Sequence, residues 1–398
     1  MNRLSPMPLG IYISVPFCRS KCSFCNFASG VFSRELMGSY IARLRQEVTE
    51  AESVANQLGS IFERRIDSIY LGGGTPTTLV PGHLREIFAI VRGEFEVAED
   101  AEITVEAAPG TLNPETLEAL ATSRVNRVSL GVQSFVDQEI RSVGRLHSAT
   151  TALIDIERLR EFGIGNINLD LIAGLPHQTR ESWQHSLERL ESTRIPHASV
   201  YILEVDEGSR LGRELIAGGT RYHAHAVPDS DLAADLYLEA IEVLSRTGLE
   251  QYEISNFARC GCESRHNLKY WTRRPYLGFG LDAHSMLYAR PSSAEFESIR
   301  FSSGDDLAPY IAGKSGFSVT RVSRKEAIEE TLFLGLRLNR GIPLSEVNSS
   351  AVESFRGEIN ELTALGLLDT SENTLRLTPR GRLLSNEVFG RFISEKVA

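Results

Sequence analysis

Ile11-Tyr12-Ile13-Ser14-Val15-Pro16-Phe17-Cys18-Arg19-Ser20-Lys21-Cys22-Ser23-Phe24-Cys25 is a short β-rich apolar run that ends in three cysteines. Ile11–Val15 reads as a strand, and Pro16 stops it. The spacing Cys-x3-Cys-x2-Cys then places three thiols on the loop that follows. Three thiolates on one loop can hold three irons of a cubane [4Fe–4S] cluster, leaving the fourth iron open. Electron-transfer clusters use four cysteines instead. Zinc is a rival ligand, but structural zinc sites are usually closed by four side chains. Three incidental buried cysteines are the remaining reading.

Working outward, five more β-rich runs follow: Ser68–Leu71, Glu102–Ala107, Arg127–Val132, Asn166–Ile172 and Ser199–Val205. Between them lie stretches of helical periodicity, such as Tyr40-Ile41-Leu44-Val48 and Leu84-Ile87-Phe88-Val91. Strands alternating with helices predict a parallel sheet of βα units. About six units precede residue 210, so an α/β fold with a partial (β/α)6 barrel is expected rather than a closed eight-unit one. Several runs end in Gly or polar residues: Gly72-Gly73-Gly74, Glu106, Gln133 and Asp170. Ligands of parallel α/β folds collect at such strand ends.

Beyond residue 210 the pattern changes. A helix is expected around Leu232–Thr247 and a strand over Gln251–Ile254. A loop with Cys260 and Cys262 precedes His266-Asn267-Leu268-Lys269-Tyr270-Trp271. Pro291–Asp306 is poor in large apolar residues and reads as a linker. From Arg324 the order helix, helix, Leu375–Gly381, helix suggests a winged-helix-like module. The expected division is a barrel over 1–210, an α+β extension over 211–300 and the C-terminal module over 301–398.

The 398 residues are 42% hydrophobic and 24% charged, which excludes a disordered or fibrous chain. The formal charge of −10 argues against broad nucleic-acid affinity, although Arg376, Arg380, Arg382 and Arg391 form a local basic stretch. That stretch reads as a solvated face or a docking surface. No apolar run approaches a membrane span. Pro6 and Pro8 interrupt the place of a signal peptide, and Glu395–Ala398 carries no lipidation motif. A cytoplasmic, reducing location is expected, so the five cysteines are not a disulfide framework.

The three-cysteine loop after a first strand, with Phe24 beside Cys25, resembles the radical S-adenosylmethionine (SAM) superfamily. The resemblance implies a [4Fe–4S] cluster on Cys18, Cys22 and Cys25 whose open iron chelates SAM. It implies that Gly73, Gly74 and Thr75 meet the methionine end of SAM. Glu106, Gln133, Arg145 and Asp170 match further SAM-contacting positions, and Tyr12 and Phe24 match residues near the cluster. Each also has a structural reading, such as a helix cap for Glu106 or a surface ion pair for Arg145.

Four segments, Tyr12–Cys18, Gly72–Thr77, Ser129–Phe135 and Asp170–Pro176, are similar to the group containing oxygen-independent coproporphyrinogen III oxidase. That oxidase typically has a further cysteine where this chain has Phe27. It also has a longer N-terminal extension than is seen here. His266-Asn267-Leu268-Lys269-Tyr270-Trp271 resembles the H-N-x-x-Y-W motif of the HemW-type heme chaperones. Ser14, Asn26 and Cys262 depart from the commoner His, Asp and aromatic residue.

This resemblance implies heme as a third cofactor, with His266, Asn267, Tyr270 and Trp271 near it. An exposed imidazole can ligate heme iron, and Tyr and Trp can pack on a porphyrin. A core histidine with two packing aromatics is the other reading of those residues. The implied partners are a heme-acceptor protein, soluble or membrane-associated, and an electron donor for the cluster. No nucleic acid is expected, and the chain is expected to be a monomer or a weak homodimer. The oxidase activity itself is the alternative function.

Overall fold

The computed structural model describes residues 7–292, 295–345 and 349–394. Pro6, Glu395–Ala398, and the linker residues Ser293 and Ala294 lie outside the described residues. Six parallel strands, β1 (Leu9–Val15), β2 (Arg65–Gly73), β3 (Glu96–Ala107), β4 (Arg127–Gln133), β5 (Asn166–Ala173) and β6 (His197–Ile202), lie side by side in chain order. Helices link each to the next, for example Glu35–Leu58, Pro81–Glu94 and Arg180–Thr193. This is the partial (β/α)6 barrel expected from the sequence.

The two faces of these strands differ in chemistry. Ile11, Ile13, Val15, Ile69, Leu71, Ile103, Val105, Val128, Leu130, Leu169 and Val200 belong to one continuous apolar core with the helices. The alternate positions are polar: Tyr12 and Ser14, Tyr70, Thr104 and Glu106, Ser129, Asn168 and Asp170, His197 and Ser199. Because side chains alternate along a strand, one face packs and the other lines the barrel interior. Register keeps the polar face continuous. Tyr12 lies opposite Tyr70, Tyr70 opposite Thr104, Glu106 opposite Ser129, and Asp170 opposite Ser199.

The extension completes the same sheet. On one side β7 (Glu250–Glu253) and β8 (Asn256–Ala258) continue antiparallel from β6. On the other, β9 (Tyr276–Gly280) runs parallel to β1. It is followed by β10 (His284–Tyr288), β11 (Phe296–Ser303) and β12 (Phe317–Ser323), all antiparallel. The stretch expected as a linker, Pro291–Asp306, therefore contains β11. Only Ile299 and Phe301 keep the two-residue alternation, too short a run to read as a strand by itself. Pairing to two neighbours supplies what the composition hides. The boundary expected at residue 300 falls inside this strand.

A second, smaller core gathers Leu332, Leu336, Ile342, Leu362, Leu375, Val388 and Phe392. Its sheet has three short strands, β13 (Ile342–Pro343), β14 (Leu368–Asp369) and β15 (Thr374–Leu377), with β15 in the middle. Ion pairs tie it to the large sheet: Arg337 to Glu253 at 3.3 Å, and Arg273 and Arg300 to Glu330, both at 2.9 Å. Two of the four arginines of the basic stretch are paired with carboxylates. Arg376 pairs with Asp369 at 2.8 Å and Arg391 with Glu361 at 2.5 Å. Among the described residues no helix is long and apolar enough to cross a membrane.

Candidate functional site

The loop that follows β1 is fixed on all sides by backbone bonds. Cys18 N–H donates to Gly30 O at 2.9 Å, and Gly30 N–H returns to Pro16 O at 2.9 Å. Lys21 Nζ closes it further by donating to the carbonyls of Phe27 and Ser29 at 2.6 and 2.7 Å. Ser23 N–H donates to Val143 O at 3.0 Å, and Leu211 N–H donates to Ser23 O at 2.8 Å. Phe24 packs with Val143, Ile172, Leu175 and Leu203, an apolar floor under the loop. Burial pushes the thiols of Cys18 and Cys22 up, and the Arg145 guanidinium opposes this at both.

Among the described residues, no three His, Cys, Asp or Glu side chains converge on a single ion. A cubane does not need such convergence, because each thiolate takes its own iron. Three thiols on one anchored loop, beside a cation, suit an anionic iron–sulfur cluster.

The glycine run after β2 packs directly under this loop. Gly74 N–H donates to Val15 O at 2.8 Å and Thr75 N–H to Phe17 O at 2.9 Å. The Thr75 hydroxyl lies 3.9 Å from Cys18 Sγ. Gly74 cannot carry a side chain, because a Cβ would sit 2.8 Å from Val15 O and 3.0 Å from Cys18 Sγ. Gly73 has φ +98, and a Cβ there would meet Ser14 Oγ at 2.8 Å.

The remaining strand ends bring charge to the same mouth. Tyr70 OH donates to Glu106 Oε1 at 2.9 Å. Burial, then the nearby Asp170, pushes the Glu106 carboxyl up to about 7. Asn168 Nδ2 donates to Asp170 Oδ1 at 2.7 Å, and Ser129 approaches the same carboxylate at 3.3 Å. Burial raises Asp170 as well. Gln133 ends β4 in the left-handed region, φ 69, with its amide folded back over Gly131. Arg145 reaches the same glycine: a Cβ on Gly131 would lie 3.1 Å from its Nη2. Its Nε is buried with no partner among the described residues. An orphaned guanidinium N–H beside two destabilised carboxyls is a receptor for a zwitterion that brings both signs of charge.

Comparison with known proteins then decides the family. Residues 12–190 match the Radical SAM superfamily, and residues 322–384 match the HemN C-terminal domain. The heme chaperone HemW of Bacillus subtilis is 34% identical, over 96% of this chain and 99% of that protein. The mitochondrial radical S-adenosyl methionine domain-containing protein 1 of Mus musculus is 32% identical, over 93% of this chain and 84% of its own. The chain belongs to the HemW group of the radical SAM superfamily. Membership brings the superfamily's cofactor pair, a [4Fe–4S] cluster and SAM, and the mouth just described fits both. The fold also matches the structure of coproporphyrinogen III oxidase from Escherichia coli. The TM-score is 0.81 at 24% identity, over 97% of this chain and 90% of that one.

The H-N-x-x-Y-W segment of this HemW-group chain sits at the opposite end of the barrel. It forms the short helix Arg265–Trp271. Glu102, near the start of the paired part of β3, accepts the N–H groups of Arg265 and His266 at 2.9 and 3.0 Å. Lys269 is buried against Asp67 at 2.7 Å and donates to Pro8 O at 2.9 Å. His266 points into the barrel and is fully buried. Its Nδ1 bonds Ser68 Oγ at 3.0 Å and its Nε2 bonds Tyr270 OH at 2.8 Å. Burial, with the charges of Lys269 and Arg127, lowers its pKa to about 3.

Both ring nitrogens of His266 are thus bonded within the core in the heme-free chain. Asn267 N–H is taken up by the Ser264 cap at 3.3 Å. Tyr270 packs edge-on against Tyr276 at 4.6 Å. The Trp271 ring lies 4.2 Å beneath the Arg337 guanidinium.

Several lining residues escaped the reading of strand ends. Tyr70, Ser129 and Asn168 lie inside strands, two or more residues before the ends. Their signal was period two: polar residues alternating with Ile, Leu and Val. His197 is another; its nitrogens bond Asn168 Oδ1 at 2.7 Å and Tyr252 OH at 2.9 Å. Cys260 and Cys262 lie on the loop after β8, which starts from the N-terminal end of β6, so the barrel separates them from the cluster loop.

Proposed function

We propose that this protein carries heme alongside a [4Fe–4S] cluster and SAM, and hands the heme to an acceptor protein. The observation that carries the proposal is near end-to-end similarity to HemW proteins at 34% identity, joined to an intact three-cysteine mouth. Cys18, Cys22 and Cys25 hold the cluster, which supplies an open iron for SAM. Gly73, Gly74 and Thr75 offer backbone close to that iron. Arg145 meets the SAM carboxylate, while Glu106 and Asp170 meet its cationic groups and hydroxyls, and Gln133 adds an amide. Tyr12 stacks on Tyr70 at 6.0 Å and holds the floor beneath them.

Phe27 favours carriage over oxidase chemistry. It stands where the oxidase group has its further cysteine, and it is 62% exposed, a bare apolar ring beside the cluster loop. A reducing cytoplasm suits the free thiols. An electron donor for the cluster and a soluble or membrane-associated acceptor complete the reading, with a monomer or weak homodimer as the working unit.

Anaerobic reconstitution, followed by hemin titration and coproporphyrinogen turnover side by side, tests the proposal. About one heme per chain and no protoporphyrinogen are expected. Multiple turnovers to protoporphyrinogen would establish the oxidase reading instead.

A further inference from the structure

We propose that Arg127, inside the barrel, binds a ligand carboxylate, and that this carboxylate is a propionate of the carried porphyrin. The proposal rests on the heme-carrying reading above and names a contact for its cargo.

Arg127 opens β4 and stands on the polar face, two positions before Ser129. Only 2% of it is exposed. Among the described residues its guanidinium makes no hydrogen bond and no ion pair, and its Nε is wholly buried without a partner. A guanidinium stays charged at any working pH, and a buried charge without a counter-charge is costly to a fold. The neighbours in register repeat the pattern. Arg127 lies between Thr104 on β3 and Asn166 on β5, and Thr104 Oγ1 and Asn166 Oδ1 are likewise buried without partners among the described residues. Three adjacent strands thus present unanswered polar atoms side by side, whereas buried polar groups are ordinarily bonded.

The nearby carboxylates are committed elsewhere. Glu102 accepts the backbone N–H groups of Arg265 and His266 at 2.9 and 3.0 Å, and so holds the start of the helix at the base. Asp170 accepts from Asn168 at 2.7 Å and belongs to the mouth. His197 is closed as well, with its two nitrogens bonded to Asn168 and Tyr252. The charge of Arg127 is felt all around it. After burial, it is among the causes that lower His266 and His197, and it opposes the burial that raises Asp170 and Tyr70. That charge is left for a group that enters the barrel.

The planar fork of a guanidinium matches a carboxylate through two parallel N–H···O bonds. The residues beside it suit a flat aromatic body. Tyr12, Tyr70 and His266 pack together, with ring centroids 6.0 Å apart for the two tyrosines and 5.4 Å from Tyr70 to His266. Such rings can cover the face of a conjugated ligand. A porphyrin carries both features, an aromatic macrocycle and propionate arms. The SAM carboxylate already has Arg145 at the mouth.

The experiment titrates the full reconstituted chain with hemin, with hemin dimethyl ester and with SAM. Esterification removes the propionate charges and leaves the iron and the macrocycle alone. Wild type should bind hemin at least about tenfold tighter than the ester, and Arg127→Met should erase that difference by weakening hemin alone. SAM affinity should be unchanged. The ligand-free Met variant should melt no lower than wild type, because it loses a buried charge that has no partner. Arg127→Lys keeps the charge without the fork, so its preference for hemin should lie between the two. It decides the test if the Met variant does not fold. Hemin and ester bound alike by wild type, an undiminished hemin preference in either variant, or an equal loss of both ligands would each overturn Arg127 as the propionate contact while leaving heme carriage standing. Loss of SAM affinity in place of hemin affinity would overturn it in favour of the SAM carboxylate. No hemin binding by wild type would overturn the heme-carrying reading and this site with it.

Discussion

Tyr70 OH donates to Glu106 Oε1 over 2.9 Å, which leaves Glu106 buried at the barrel mouth with neutral partners in Tyr70 and the Gly73 backbone and a second carboxyl, Asp170, nearby. Burial is the larger cause and raises Glu106 from 4.5 to about 7. The folded state therefore keeps its proton while the unfolded chain loses it between pH 4.5 and 7. Stability falls across that window and the loss is complete above about 7. One pKa unit is about 1.4 kcal/mol, so the full effect is on the order of 3 kcal/mol. In the SAM-free chain, Glu106→Gln should raise the melting temperature at pH 8 and leave it little changed at pH 4.5. Equal effects at both values would show that Glu106 is already ionised.

Arg145 is the counter-charge of this mouth. It lowers Glu106, Asp170, Cys18 and Cys22 alike. Arg145→Ala should raise the Glu106 pKa further and weaken SAM binding about ten- to a hundredfold, the usual loss of a charged hydrogen-bond partner. Iron content should stay intact. Calorimetry with SAM, read beside an iron assay, separates the two effects. Unchanged SAM affinity would remove Arg145 from the ligand set.

The cluster itself makes a sharper demand. Anaerobic protein should carry about four irons per chain, and replacing Cys18, Cys22 and Cys25 by Ala should abolish the cluster. The variant should remain folded, because the loop is held by backbone bonds such as Cys18 N–H to Gly30 O. A brown, iron-replete triple variant would place the cluster elsewhere.

The barrel was legible because its helices and strands carry strong, regular patterns. The cysteine loop, the glycine run and the charged strand ends were legible because they mark positions where the regular pattern stops. Other parts were not. Tyr70 and Asn168 carry no such mark, since a polar residue within a strand gains its meaning only from the register that sets Tyr70 opposite Tyr12 and Asn168 opposite Ser129. Strand β11 hid in a stretch of Ser and Glu, because long-range pairing rather than composition makes it a strand. His177 and His223, whose rings meet at 3.0 Å, are 46 positions apart, a distance over which periodicity says nothing. His266 shows a different limit. A motif shows that a histidine matters but not which way its ring faces.

That ring gives the last prediction. His266 is lowered from 6.5 to about 3, first by burial and then by the Lys269 and Arg127 charges. Above pH 6.5 it is neutral in both states and its bonds to Ser68 and Tyr270 count in full. As the pH falls below 6.5 the unfolded chain binds a proton that the folded chain refuses until about 3. Stability is therefore lost through that window, by up to roughly 5 kcal/mol. His266→Gln removes the titration along with part of the bonding. It should destabilise the protein by about 1–3 kcal/mol at pH 7.5, the cost of buried groups left without partners. The wild-type advantage should shrink by about 2 kcal/mol as the pH is lowered to 5. Urea unfolding at the two pH values reads this directly. Hemin titration of the folded variant, read by the Soret band, then tests whether His266 also takes part in heme binding. A variant with unchanged stability and an altered Soret band would return His266 to the surface and to the iron.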